Sequence, residues 1–343
     1  METLNEREKY VLGLIVENYI ASAEPVGSRT ISKASTNRWS SATIRNIMSD
    51  LEELGYLYKP HAVAGRIPTS RAFRHYINNL DISSYPGKKA LQALNNLLRP
   101  RYYYVGEIMA DASRILAAIS KYTSIVVEPR INTMLFKEVE FVKLSERTVL
   151  IVFITSSGMV HTRLVETDER LDSETLKGMK RYMNERFEGT PFYILRQEIM
   201  GDIEIDKTIF TQLLTRIRET IETIIESEDK RDVYIEGTSK MIDFPEFSDV
   251  KRLRDIFMTL EKKEKLLRLL DKCLKEEGMH IIIGDESDIK EMRDISIITS
   301  TYRISDKSFG VLGVMGPMRM DYSRIIPIVD YTARTVSDIL RIM

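Results

Sequence analysis

One stretch, from Trp39 to Thr69, constrains the fold more than any other part of the chain. Its first half predicts a helix, because its apolar residues recur at steps of three and four and therefore share one face. These residues are Ile44, Ile47, Met48, Leu51 and Leu54. Ser40 or Ser41 is suited to cap the start of this helix, and Gly55 follows its last turn, where a left-handed backbone favours glycine.

The second half of the stretch predicts a short hairpin, with strands at residues 56–58 and 66–67. Two more amphipathic helices precede it, at residues 5–21 and 28–35, and Asn5 is suited to cap the first of them. Three helices followed by a two-stranded hairpin are typical of a winged helix-turn-helix. In such a unit the third helix enters the major groove of DNA.

Polar side chains concentrate at the start of the third helix, where a helix entering the major groove reaches base edges. They are Ser40, Ser41, Thr43, Arg45 and Asn46. The alternative is a purely structural role, in which the two serines only cap the helix and Arg45 pairs with a nearby acid such as Glu52. The side chains alone do not exclude it, but their coincidence with a hairpin and a basic segment favours DNA binding.

That basic segment follows the third helix and carries Lys59, His61, Arg66, Arg71 and Arg74, with no Asp or Glu between Lys59 and His75. A stretch with one sign of charge suits the phosphate backbone. The whole chain has a formal charge of −1, but residues 1–80 contribute +2 and the remainder −3. The charge bias is mild, so the placement of the cations matters more than their number.

Composition excludes several classes of protein. At 343 residues, with 43% apolar and 29% charged residues, the chain suits two or three globular domains. The single cysteine, Cys273, rules out an internal disulfide and a cysteine-based zinc site. No catalytic, nucleotide-binding or metal-ligand motif is present, so we expect neither an enzyme nor a cofactor. The charged N-terminus lacks the apolar segment of a signal peptide, which predicts a cytoplasmic protein without membrane spans.

The rest of the chain predicts an α+β arrangement with an inserted segment. Residues 81–88 read as a linker, because Pro, Gly and Ser cluster there. A helical stretch at 91–120, broken near Pro100, comes next. Strands are then predicted at 136–144, 148–155, 158–165, 280–283, 295–302 and 310–315, and a last helix at 324–340. The region 173–277 is mainly helical, with a strand-like piece at 233–235, so it interrupts the strands.

Long motifs along the chain resemble the HrcA family of heat-inducible transcription repressors. They are LNEREKYVLGLIVENYI, EPVGSRTIS, SSATIRNIMSDLEELGYL and PHAVAGRIPT near the start, YIEGTSKMIDFPEFSDVKRLRDIF at 234–257 and GPMRMDYSRIIPIVDYTARTVSDIL at 316–340. The resemblance therefore spans essentially the whole chain. Ala62 and Val63 depart from it, because the family's hairpin carries hydroxyl residues there. Ser41 departs as well, because the family has proline at that position.

This resemblance implies three domains: a winged helix-turn-helix with its linker at 1–85, a GAF-like domain at 86–169 and 275–343, and an inserted dimerising domain at 170–274. It also implies an inverted-repeat operator upstream of chaperone operons, and a repressor whose active state is promoted by the GroEL chaperonin. A homodimer is expected on physical grounds too, because one small module makes too few base contacts to select its site in a genome.

Two other functions remain open from the sequence. The GAF-like domain could sense a small molecule, with Tyr102–Tyr104 lining its pocket, although we favour the alternative in which these tyrosines pack the linker helix against the domain. The chain could also bind RNA, but the hairpin offers only Tyr56 and Tyr58 as aromatic platforms for unstacked bases, and both suit strand packing.

Overall fold

The computed structural model describes residues 4–81, 105–128, 135–199 and 233–342, together with a few positions between 214 and 221. Short gaps in these ranges fall at 37, 62–63, 157, 159, 168–169, 171, 193, 196–197, 271–272 and 306–307. The described residues form a mixed α+β protein, as the sequence predicts. Residues 82–104 lie outside them, and so do most of the predicted linker, the break near Pro100 and Tyr102–Tyr104.

Residues 4–81, which we call the head, contain four helices and a hairpin in the predicted order. These are α1 (Glu6–Ser22), α2 (Ser28–Ala34), α3 (Ser41–Glu53), β1 (Leu57–Tyr58), β2 (Ile67–Pro68) and α4 (Ser70–Asn78). The Asn5 side chain accepts from the N–H groups of Arg7 and Glu8, and Glu8 accepts in return from the N–H of Asn5. The predicted cap of α1 is therefore confirmed.

The apolar faces of the head helices meet in one core, whose fully buried members include Val11, Leu12, Ile15, Ile31, Ile44, Leu51 and Phe73. The hairpin is fixed to this core from outside, because Val26 and Arg66 exchange two backbone hydrogen bonds of 2.8 and 2.9 Å. The segment before α2 thus acts as a third, one-residue strand beside the hairpin.

Beyond the head the chain continues through α5 (Val105–Ser120), β3 (Thr123–Val127), β4 (Phe136–Lys143), β5 (Thr148–Thr155), β6 (Val160–Glu166), α6 (Ser173–Phe187), β7 (Val233–Glu236), α7 (Val250–Glu261), α8 (Lys263–Leu269), β8 (Met279–Ile283), β9 (Ile295–Ser305), β10 (Ser308–Pro317) and α9 (Tyr322–Ile342). The strands predicted from the sequence are confirmed. The last helix begins two residues earlier than predicted and ends two later, so Pro327 lies in its second turn.

Strands β7, β3, β10, β9 and β8 form, in that order, one antiparallel sheet, which with α5, α7, α8 and α9 we call the body. Val126, Leu312 and Val314 face α5 and α9. Their neighbours Ile125, Val311 and Met315 lie in a second core with α7 and α8. Both faces are covered, which explains the continuous apolar runs in these strands.

Strand β3 is absent from the strands that the sequence predicts. All five of its residues are buried, so the segment lacks the alternation of apolar and polar residues that marks a half-exposed strand. It also follows directly after a helix whose last turns are apolar. A short apolar run in that position cannot be distinguished from the end of a buried helix by its periodicity.

Strands β4, β5 and β6 form a separate three-stranded antiparallel sheet, which we call the small sheet. Helix α6 covers one face through Met179, Met183 and Phe187. The three-domain division predicted from the sequence places these strands, which lie within 86–169, in one domain with residues 275–343. In the described residues the small sheet pairs with no body strand, whereas β7, from within 170–274, pairs with β3. The sequence shows where strands occur but not which strands pair.

Candidate nucleic-acid interface

Helix α3 presents one face to the head core and the other to solvent. Ile44, Ile47, Met48 and Leu51 are buried, in agreement with the predicted stripe. Ser40 is the N-cap, because its Oγ accepts from the N–H of Thr43 at 3.1 Å. Of the two serines proposed as caps, the structure therefore selects Ser40, and Ser41 is the first helical residue.

Ser41 and Thr43 are engaged inside the head. The Ser41 Oγ lies 3.0 Å from the Ser28 Oγ at the start of α2, and the Thr43 Oγ1 lies 2.9 Å from the Ser40 Oγ. Both side chains are only partly exposed. These contacts hold α2 and the first turn of α3 in place. If the Ser41 or Thr43 hydroxyl contacted a base, it would have to keep or give up its present partner.

Arg45 and Asn46 are exposed on the outer face of α3. Among the described residues Arg45 has no ion-pair partner, so the alternative in which it pairs with Glu52 does not hold. Its side chain borders a cleft between the start of α2, the middle of α3 and the hairpin. Four cations line this cleft, and none of its described lining residues is acidic; the four are Arg29, Arg45, Lys59 and Arg66.

Arg29 is the residue of this cleft that sequence reasoning missed. It lies in the first turn of α2, separated along the chain from the basic segment at 59–71, and a single arginine there carries no signal. Only the packing of α2 across α3 brings it beside Arg45 and Lys59. Lys59 and His61 are exposed on the hairpin, as the sequence-based interpretation requires.

Arg66 differs from its prediction as a free phosphate contact. Its guanidinium pairs with Glu52 on α3 at 2.7 Å, and only 16% of the side chain is exposed. Its Nε is buried without a hydrogen-bond partner in the described structure. The ion pair turns the Arg66 guanidinium towards α3, and its pairing with Glu52 largely neutralises this part of the cleft.

Arg71 also has a structural role that the sequence does not show. Its Nη1 donates to the Leu54 carbonyl at 2.6 Å, and its guanidinium lies 4.4 Å from the centre of the Tyr56 ring. Helix C-termini leave carbonyl groups unpaired, and a cation there both donates and complements the helix dipole. Arg71 therefore closes the end of α3, although its side chain remains exposed.

The part of the chain that the structure describes contains no cluster of His, Cys, Asp or Glu side chains arranged to bind a metal ion. No helix in that part has both the length and the apolar character needed to cross a bilayer. The cleft itself presents cations and exposed hydrogen-bonding groups.

Comparisons with known proteins agree on one family. A family model described as the HrcA protein C terminal domain matches residues 106–326. The heat-inducible transcription repressor HrcA of Geobacter sulfurreducens is 41% identical over 340 residues, which cover 99% of each chain. That of Syntrophobacter fumaroxidans is 38% identical over 342 residues, covering 99% of this chain and 98% of its own.

A crystal structure of a hypothetical protein shares the fold with a TM-score of 0.65, at 22% identity, covering 98% of this chain and 99% of its own. At this identity the likeness concerns the fold alone. The matches in sequence, by contrast, extend from the head to α9 and include both halves of the body. The chain therefore belongs to the HrcA family of heat-inducible transcription repressors, and it is not an enzyme, as the sequence predicts.

Proposed function

We propose that this chain is a homodimeric cytoplasmic repressor of chaperone operons, which binds an inverted-repeat operator through a winged helix-turn-helix formed by the head. One observation supports this proposal above the others: the exposed face of α3 borders a cleft lined by Arg29, Arg45 and Lys59. Cations beside an exposed helix give phosphate contacts, which position the protein, next to side chains that read bases.

Within this interface the residues divide by task. Arg45 and Asn46 are free to reach base edges, and Arg29, Lys59 and His61 are placed for phosphates. Ser40, Ser41 and Thr43 support the first turn of α3, so their contribution is mainly to position it. Arg66 and Arg71 act mainly inside the head.

The outer face of the small sheet supports the homodimer. Across this face Val142 pairs with Leu150 and Leu150 with Leu164, so three apolar side chains lie in one cross-strand row. Val142 is 46% exposed and Leu164 is 55% exposed. Contiguous apolar surface of this kind marks an association site, and a second copy of the same face is its simplest complement.

We keep the three-domain division as a proposal, with boundaries that follow the strand pairing. The head with its linker occupies residues 1–85. A GAF-like domain would then comprise 86–128 and 233–343, and the inserted dimerising domain 129–232. This assignment gives the small sheet and α6 to the insertion, and it returns β7, α7 and α8 to the body whose cores they complete.

Promotion of the active state by GroEL rests on the family alone, since no described residue identifies a chaperonin-binding surface. The small-molecule alternative has less support: in the described residues both faces of the body sheet are closed by packed side chains. A sensing role would need a pocket that opens elsewhere.

The test is fluorescence anisotropy with three labelled duplexes, an inverted repeat, a single half-site and a scrambled sequence, at two salt concentrations. Tight binding to the inverted repeat alone supports the proposal. Weak and equally salt-sensitive binding to all three contradicts it, unless GroEL added to the same sample restores the preference. If GroEL does not restore it, the small-molecule alternative becomes the better explanation.

A further inference from the structure

Helix α4 joins the head to the body through contacts between residues more than two hundred positions apart. The Arg74 guanidinium pairs with Glu286, with its Nε donating to Glu286 Oε1 at 2.8 Å. The same guanidinium donates to the carbonyl of Ile281. Hydrogen bonding to Glu286 raises the pKa of Arg74, so the guanidinium keeps its positive charge.

This ion pair also occupies the free edge of the body sheet. Strand β8 is the last strand of that sheet among the described residues, and within them the backbone groups of Ile281 and Ile283 on its outer side have no strand partner. Arg74 donates to the Ile281 carbonyl, and Glu286 accepts from the Ile283 N–H at 3.0 Å. The head thus takes the place of a sixth strand at this point of the edge.

A second contact lies at the first turn of α4. The Ser70 Oγ donates to Asp285 Oδ2 at 3.2 Å and accepts from the Asp285 N–H at 3.3 Å. Gly284 permits this approach: its φ is +50°, and a Cβ there would lie 2.6 Å from the Ser70 Oγ. The same Cβ would lie 2.5 Å from the Met318 Sδ and 2.6 Å from the Arg293 carbonyl oxygen, so a larger residue at 284 would require its neighbours to shift.

A third contact fixes the opposite side of the head. Arg319 forms an ion pair with Glu246, in which only 15% of the arginine side chain is exposed, and donates to the carbonyl of Ile20 near the end of α1. Between the three contacts, Phe73 packs against Tyr322 with ring centres 6.1 Å apart, and both side chains are fully buried. The head and the body therefore share one continuous core.

We call these head–body contacts the seam. We propose that the seam sets the spacing of DNA half-sites that the protein accepts, with Arg74, Ser70 and Arg319 as positioning residues. The inference rests on the proposed function as an operator-binding homodimer. Two heads fixed rigidly to a dimeric body present their α3 helices at one distance and one rotational phase. Heads on flexible tethers would still bind, with a lower effective concentration but a broad tolerance of spacing.

The test uses the full-length protein and a set of duplexes in which the space between two half-sites is lengthened one base pair at a time through a helical turn. For the unaltered protein, affinity should fall by roughly 10²-fold when the spacing changes by about half a turn, because simultaneous engagement of both heads is lost. A single half-site is measured alongside every variant.

The first variant is Arg74→Gln with Glu286→Gln, which removes both charges and leaves neither unpaired. The matched control is Arg303→Gln with Glu277→Gln, an ion pair of similar exposure that lies within the body. Arg319→Gln is a second, independent variant at the other side of the head. Hydrogen exchange of peptides over 279–286 reports whether the seam has opened, since the Asp285 N–H then loses the Ser70 Oγ as its acceptor.

The expected result for the seam variants is an unchanged half-site affinity and a spacing profile that varies by less than about 3-fold, while the control keeps the sharp profile. An open seam with an unaltered profile would overturn the inference and leave the proposed function intact. The inference is also overturned if hydrogen exchange shows that the seam stays closed in both variants. A protein that binds half-site and scrambled DNA alike would overturn both proposals together.

Discussion

At the scale of single residues, the polar side chains of the interface fall into two groups that are indistinguishable in the sequence. Ser41, Thr43, Arg66 and Arg71 have partners inside the head, whereas Arg45 and Asn46 project into solvent. A side chain already paired gains less from a new partner, because it first loses the old one. The free side chains should therefore dominate the affinity for DNA.

Arg45→Ala is expected to weaken binding to the inverted repeat by roughly 1–3 kcal/mol if the arginine reads a base with two hydrogen bonds. Binding to scrambled DNA should change far less. Arg45→Lys is the informative control, because it keeps the charge and loses the two-pronged geometry. Equal losses on both duplexes would show that Arg45 contacts only phosphate.

Lys59→Gln and Arg66→Gln should differ although both remove one cation from the same cleft. Lys59 is exposed, so its loss should lower the slope of log affinity against log salt by about 1. Arg66 is neutralised by Glu52, so its loss should change the slope less and reduce the melting temperature instead. Anisotropy titrations at several salt concentrations and thermal unfolding measure both quantities. A larger slope change for Arg66 would refute the assignment.

At the scale of elements, the end of α3 decides where the hairpin starts. Gly55 has a φ of +76°, and the Thr69 side chain donates to the carbonyls of Gly55 and Tyr56 at 2.8 and 3.0 Å. Arg71 closes the same turn from α4. The direction of the hairpin relative to α3 thus depends on one left-handed residue and on hydrogen bonds from two side chains, and a change there should affect folding and DNA binding together.

Gly55→Ala is expected to lower the free energy of unfolding by roughly 1–2 kcal/mol, because alanine is strained in the left-handed region. Gly13→Ala is the matched control: Gly13 lies within α1, and a Cβ there meets nothing within 4 Å. That substitution should raise stability by up to about 1 kcal/mol through helix propensity. Urea unfolding of both variants tests the contrast, and equal effects would contradict it.

At the scale of the whole molecule, the small sheet and the seam have complementary tasks. In the homodimer proposed above, the apolar face of the small sheet would join two chains, and the seam would fix each head to its own body. Association supplies the second half-site contact, while rigidity determines which spacing that contact requires. Dimerisation and specificity would then be separable by mutation.

Leu164→Lys combined with Val142→Lys should break the homodimer, since like charges would meet across an apolar contact. Light scattering should give half the mass of the unaltered protein, and affinity for the inverted repeat should fall to that for a half-site. Ile242→Lys combined with Val250→Lys is the matched control, because both are exposed apolar side chains that lie outside the small sheet. A dimer that persists in the double variant would place the interface elsewhere.

Local chemistry explains what could be predicted from the sequence. The cap at Asn5, the glycine after α3 and the stripe from Ile44 to Leu51 depend on neighbours within one or two helical turns, so their pattern is visible in the chain itself. Family membership followed from long motifs. The same reasoning predicted the polar and basic residues of the candidate interface as a group.

Tertiary structure alone decided the rest, because it depends on which distant segments meet. Four features of the fold have no local signal in the sequence. They are the pairing of β7 with β3, the separation of the small sheet, the approach of Arg29 to Arg45 and the docking of Arg74 on β8. Strand pairing and ion pairing are selected by the burial and geometry of the whole fold. The sequence by itself determined the family and the elements other than β3, and packing determined which side chains stay free to act.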